Sequence, residues 1–199
     1  MYVVKKLRSI VAFIIFGALS FGVAAQSTNL SIENYNSVTD ERLINPEDHN
    51  WLSYRGTLDG WGYSSLDEIS ASNVSDLEPV WSFSTGVLGG HESPPIVNDG
   101  VMFITTPGNL LYAIDAASGD LLWRYQHDLP ATYIAFHRTN RGVALYGDKV
   151  YMATLDARVI ALDAATGEKV WDKAVQDNSF GYYITMAPLA VDGKIMVGT

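Results

Sequence analysis

The 199-residue sequence contains no cysteine. That absence excludes disulfides, thiolate metal sites, thiol nucleophiles and the lipid-bearing cysteine of a bacterial lipoprotein, so nothing covalent staples the fold. Basic residues are few as well, 13 Lys and Arg against 22 Asp and Glu for a net charge of -9, with no Lys/Arg cluster. A chain this acidic repels phosphates, and DNA and RNA are excluded as partners. Four histidines without cysteine partners make no zinc pattern, so His91 and His137 are read as structural or surface residues. No strand-like segment is followed by G-x-G-x-x-G and a helix, which argues against a nicotinamide enzyme.

Long apolar runs are limited to one, Ile10 to Phe21, preceded by Lys5, Lys6 and Arg8 and followed by Val23-Ala24-Ala25 ahead of Gln26. It is shorter than the ~20 residues that cross a bilayer. The order of the parts is that of a secretory signal peptide over residues 1–25, cleaved after Ala25. The expected location is periplasmic, and loss of the leader makes the mature chain more acidic still.

Residues 26–48 are polar and aperiodic and read as an extended arm with no stable core. The remainder, 49–199, consists of short apolar stretches between Gly, Asp, Asn and Ser, and reads as all-β. Within it, Ala113-Ile114-Asp115-Ala116-Ala117-Ser118-Gly119 through Trp123 matches Ala161-Leu162-Asp163-Ala164-Ala165-Thr166-Gly167 through Trp171, so that both copies spell A-x-D-A-A-[ST]-G-x-x-x-W. Each copy predicts a hairpin: a strand ending at an Asp that caps the turn, a Gly able to take positive φ, and a second strand carrying the Trp.

A polar turn leading into an alternating strand recurs at Asp99-Gly100, Gly147-Asp148 and Asp192-Gly193. Trp171 follows Trp123 by 48 residues and Trp123 follows Trp81 by 42, the length of one four-stranded propeller blade. About three blades are expected, fewer than the roughly four to eight that close a ring. The third copy of the turn-and-strand element runs to Thr199 without its Trp-bearing half, so the chain is expected to be truncated inside a blade. Trp51, Trp61, Trp81, Trp123 and Trp171 are read as packing residues, the last three as wedges between blades.

The A-x-D-x-x-[ST]-G-x-x-x-W repeat resembles the tryptophan-docking motif of the quinoprotein dehydrogenases, whose members are eight-bladed β-propellers. Trp51-Leu52-Ser53-Tyr54-Arg55-Gly56 with Gly62-Tyr63-Ser64 looks like the opening segment of the methanol and ethanol dehydrogenase branch. Gly90-His91-Glu92 with Pro95 resembles that branch's first cofactor-contacting loop, Asn140-Arg141-Gly142 its second, and Ile184-Thr185-Met186-Ala187-Pro188 its third. The resemblance covers nearly all of 51–199 in the right order.

What it implies is a partial propeller from a PQQ-dependent alcohol dehydrogenase that oxidises a primary alcohol to the aldehyde. The implied cofactors are pyrroloquinoline quinone and a Ca²⁺ or lanthanide ion. The implied partners are a small alcohol substrate and a periplasmic cytochrome c as electron acceptor, with a homo-oligomer left open. Glu92, Arg141 and Thr185 are the implied cofactor-binding residues. The quinone bears three carboxylates, which suits the permanently charged, bidentate Arg141 and the hydroxyl of Thr185. Glu92 beside such an anion must be oriented by neighbours or share a proton. Family metal ligands and the general-base aspartate come later in the chain than residue 199, so no catalytic or metal residue is assigned here and the 199 residues are expected to be inactive alone. The branch commonly carries two adjacent cysteines over one quinone face. Ala135 and Phe136 stand at about those places, and Phe136 is a candidate to cover the face by stacking. A non-catalytic propeller of the outer-membrane assembly type shares the docking repeat but has no reason to keep the three loops. A sugar-oxidising quinoprotein is the closer enzymatic alternative.

Overall fold

From Ile96 onward, strands rich in Val, Ile, Leu and Tyr alternate with turns built on Asp, Asn and Gly, and each turn returns the chain antiparallel to itself. The computed structural model describes residues 32–199. The proposed signal peptide and residues 26–31 lie outside the described residues.

The first four-stranded blade comprises β1 (Ile96–Asn98), β2 (Val101–Thr106), β3 (Leu110–Asp115) and β4 (Leu121–Gln126), hydrogen-bonded in that order. The second repeats it with β5 (Val143–Tyr146), β6 (Lys149–Ala153), β7 (Arg158–Asp163) and β8 (Lys169–Ala174). The opening hairpin of a third follows as β9 (Leu189–Val191) and β10 (Lys194–Met196). These are antiparallel meanders throughout, the architecture of a partial propeller.

In β3 and β7 the four central residues of each strand are buried without alternation. A strand covered on both faces reads as a continuous apolar run, which is why Leu-Tyr-Ala-Ile and Val-Ile-Ala-Leu sit there.

The Asp, Gly, Ala and Trp positions of the repeat have identifiable structural tasks. Asp115 Oδ1 accepts from the backbone N–H of Ala117 and Ser118, at 2.9 and 2.8 Å, and Asp163 Oδ1 does the same for Ala165 and Thr166. Gly119 and Gly167 have φ of +80° and +75°. The small residues Ala113 and Ala161 lie opposite Trp123 and Trp171 in the ladder, and beside each pair the register shifts by a bulge. Trp81 Nε1 donates to Ala116 O and Trp123 Nε1 to Ala164 O, both at 3.0 Å. Each tryptophan thus docks on the hairpin of the unit that follows it, as a wedge between repeats.

Residues 78–87 form no strand. Along 81–87 half-buried and exposed residues alternate, so this extended chain lies one-sided on the first blade. Tyr112 donates its hydroxyl proton to Thr85 O at 2.9 Å, and its ring meets Phe83 edge-on.

Two expectations need correction. Trp61 is not a packing residue: it is 77% exposed, flanked by Gly60 and Gly62 in a stretch without strands. Residues 32–48 are not an arm without a core. Val38 and Leu43 are fully buried in the same cluster as Phe103 and Trp123, and a short helix, α1 (Asp40–Ile44), is capped by Thr39.

That N-terminal strap touches the equivalent β-turn of all three units. Asn36 donates to Asp99 Oδ2, Val38 exchanges two backbone bonds with Gly147, and Asp40 Oδ1 accepts from Asp192 N. A few apolar residues in a polar segment suffice because their partners are supplied by distant blades. No local periodicity is needed.

Candidate functional site

The loops leading into β1, β5 and β9 occupy equivalent places in three successive units, and each carries one of the residues singled out in the sequence. Glu92 precedes β1, Arg141 precedes β5 and Thr185 precedes β9. The structure brings the three together around Arg141.

The guanidinium donates from Nη1 to Thr185 Oγ1 at 2.6 Å, and Nη2 lies 2.9 Å from Glu92 Oε2. The backbone N–H of Arg141 donates to Thr185 O at 2.9 Å, so strand-like pairing and side-chain contact act together. Glu92 is oriented from a second side by the Thr139 hydroxyl, which donates to Oε1 at 3.3 Å. Two neighbours, Arg141 and Thr139, thus hold the Glu92 carboxylate.

The side chains of Arg141 and Glu92 are 39% and 46% exposed. An ion pair so open to water is worth about 0–1 kcal/mol to stability. The cluster is therefore a weak structural element but an accessible set of polar groups facing solvent. A cleft of about 430 Å³ beside it is lined by Gly181, Tyr183, Thr185 and Met186. A larger cleft of about 640 Å³, lined by Tyr133, Asp156, Arg158 and Asn178, touches none of the three residues. Of these two clefts only the smaller includes one of the three residues, Thr185.

Phe136 is 85% exposed, and its ring meets Tyr183 edge-on, with centroids 6.3 Å apart. His91 is exposed; its Nδ1 faces Gly89 O at 3.0 Å and its Nε2 faces Thr85 Oγ1 at 3.0 Å, a pairing that shapes the loop before Glu92. Among the described residues no group of three or more His, Cys, Asp or Glu could hold a metal ion.

Residues 51–198 match the family model described as PQQ, glucose/ethanol/alcohol dehydrogenase, β-propeller domain. The chain belongs to this family of PQQ dehydrogenase propellers. A quinoprotein alcohol dehydrogenase of Pseudomonas putida is 40% identical over 163 residues, which are 80% of this chain and 27% of the relative. The quinohemoprotein alcohol dehydrogenase ADH IIB of Pseudomonas putida is 42% identical over 74% of this chain and 22% of its own length. Among solved structures, a quinohemoprotein alcohol dehydrogenase of Pseudomonas putida HK5 superposes with a TM-score of 0.77 at 38% identity, over 84% of this chain and 25% of that one. A europium-containing methanol dehydrogenase gives 0.75 at 36% identity, over 80% and 28%. The chain spans about a quarter of the length of the proteins it matches.

The donor set fits a quinone bearing several carboxylates. Arg141 uses one N–H on Thr185 and one on Glu92, and its planar fork has further donors to offer.

Sequence reasoning missed two features of the PQQ dehydrogenase propeller. Asn140, quoted only as part of a loop, is buried and bonded on every side. His127 at the end of β4 pairs with the buried Asp156 of the β6–β7 turn at 2.9 Å, and Thr154 donates to the same carboxylate at 2.6 Å. Burial alone would raise the Asp156 carboxyl, but the His127 and Thr154 bonds outweigh it and hold it below the ordinary range. Both features are polar residues buried between repeats, and no short-range pattern marks them.

Proposed function

We propose that this chain supplies one wall of the cofactor site of a periplasmic, PQQ-dependent alcohol dehydrogenase that oxidises a primary alcohol to the aldehyde and passes electrons to a cytochrome c. The observation that carries the reading is Arg141 in contact with both Glu92 and Thr185, which come from the equivalent loops of three successive units. Quinoprotein and quinohemoprotein alcohol dehydrogenases among the relatives, and a 1-butanol dehydrogenase (cytochrome c) of Thauera butanivorans, 38% identical over 74% of this chain, support the substrate class and the acceptor.

When bound, pyrroloquinoline quinone supplies the two-electron acceptor for alcohol oxidation. Arg141 would hold one of its carboxylates through the guanidinium fork, and Thr185 would donate to another. Glu92, held by Arg141 and Thr139, would meet its polar edge, and the exposed ring of Phe136 beside Tyr183 would be free to stack on it. The proposed Ca²⁺ or lanthanide ion is assigned to no residue here, since among the described residues no group of three or more His, Cys, Asp or Glu could hold it.

The test is binding of pyrroloquinoline quinone to the full chain, followed by quenching of tryptophan fluorescence. Arg141→Gln should weaken binding at least about tenfold, the order of one lost charge-assisted hydrogen bond of ~1.5 kcal/mol. Unchanged affinity in Arg141→Gln would remove this reading.

A further inference from the structure

Asn140 is 1% exposed and lies directly before Arg141. Its Oδ1 accepts from Thr105 Oγ1 at 2.9 Å and from the backbone N–H of Gly142 at 3.1 Å, closing a local turn around Arg141. Its Nδ2 donates to Ala153 O at 2.9 Å and to Asn109 Oδ1 at 3.3 Å. One amide thereby satisfies acceptors and donors on β2, on the β2–β3 turn, at the end of β6 and in its own loop. All four hydrogen-bonding positions of the side-chain amide are used in this way.

The same network reaches the Glu92 loop. Thr105, which bonds Asn140, donates its backbone N–H to Ser93 Oγ at 3.1 Å, and Ser93 adjoins Glu92. Gly142, at φ +118°, packs where a Cβ would meet Ser93 Oγ at 3.4 Å and Pro94 Cδ at 3.7 Å. The two exposed charges, Glu92 and Arg141, are thus mounted on loops joined beneath them by a buried chain from Ser93 through Thr105 to Asn140. A long, partly exposed arginine keeps one geometry only if its backbone is fixed, because its own ion pair is too weak to do so.

We infer that Asn140 is a positioning residue for ligand recognition: it sets the place of the Arg141 guanidinium relative to Glu92 and Thr185, so that carboxylate binding depends on an amide that never touches the ligand. The inference rests on the reading of Arg141 given above. It extends that reading to a residue with no exposed surface of its own.

The experiment is a double-mutant cycle on the full chain with pyrroloquinoline quinone as probe. Kd is read by fluorescence quenching at a temperature where near-UV circular dichroism shows each variant native. Asn140→Ala should raise Kd about tenfold, the order seen when a hydrogen-bonded support behind a ligating group is lost. In the Arg141→Gln background the same change should add almost nothing, since both remove one contact. Two results overturn the inference: a lowered Tm with unchanged Kd, which marks Asn140 as structural only, or effects of the two variants that multiply. Should Asn140→Ala not fold, Thr105→Val removes a single bond to the amide and should raise Kd in the same direction; an unchanged Kd there also overturns it. If Arg141→Gln leaves Kd unchanged, the cofactor reading itself fails and this inference with it. If Arg141→Gln weakens binding and Asn140→Ala does not, only this inference fails.

Discussion

The indole N–H of Trp123 donates to the carbonyl of Ala164 in the following blade at 3.0 Å, and its ring lies over Gly167, where a Cβ would stand 2.6 Å from the ring. The hydrogen bond and the close approach belong to one docking contact between neighbouring repeats. Trp123 is fully buried, so the contact carries packing energy as well.

Trp123→Ala should therefore cost about 3–5 kcal/mol, the range for emptying a large aromatic site. Trp123→Phe should cost about 1–3 kcal/mol, chiefly by leaving Ala164 O without a donor. Gly167→Ala should be destabilising too, because the methyl collides with an indole that cannot move and the residue sits at φ +75°. Urea unfolding of the variants measures all three. An Ala at 167 without loss would mean that the ring does not rest there.

The strap makes a separate prediction. Leu43 is buried, so Leu43→Ala should destabilise by about 2–5 kcal/mol although it lies in a segment that looks polar. Asp40→Asn should do less, since Asp40 accepts from Tyr146 and Asp192 at an exposed edge. Equal and negligible effects of both, in the same unfolding assay, would show that the strap does not hold the blades.

Acid should weaken that strap. The Arg42 guanidinium, with Asn50 beside it, holds the Glu47 carboxyl down to about 2 from an ordinary 4.5. A depressed folded-state pKa contributes stability that is complete above the unfolded value and is lost as pH falls through the folded one. The contribution should be full above about pH 4.5 and fade toward pH 2. Asp156, also lowered, adds to the loss in acid. Glu47→Gln should thus be less stable than wild type at neutral pH and nearly equal to it at pH 2, read from unfolding free energies across that window.

Phe136 gives a test at the site itself. Being almost wholly exposed, it packs against little, and Phe136→Ala should leave Tm within a degree or so of wild type by a ΔΔG of ~0.5 kcal/mol or less. If it stacks on the quinone, Kd for pyrroloquinoline quinone should rise severalfold, consistent with ~0.5–1.5 kcal/mol for an aromatic pair. A changed Tm with unchanged Kd would assign the ring to the fold instead.

What the sequence determined by itself is the part of the molecule whose hydrogen bonds close within a few residues. The Asp115 and Asp163 turns, the left-handed Gly119 and Gly167, and the strands on either side follow from spacing alone, because donor and acceptor are two or three positions apart. Arg141 and Thr185 could be named as candidates only through the resemblance of their loops to those of a known family. Their meeting could not: they lie 44 residues apart, and only the stacking of one repeat on the next brings them to 2.6 Å. The same holds for Trp123 with Ala164 and for the buried bonds of Asn140. It holds in reverse for Trp61, whose apolar character suggested burial where tertiary packing provides no partner. Contacts between blades are decided by which surfaces the twist of each sheet presents to its neighbour, and that geometry has no local signature in the chain.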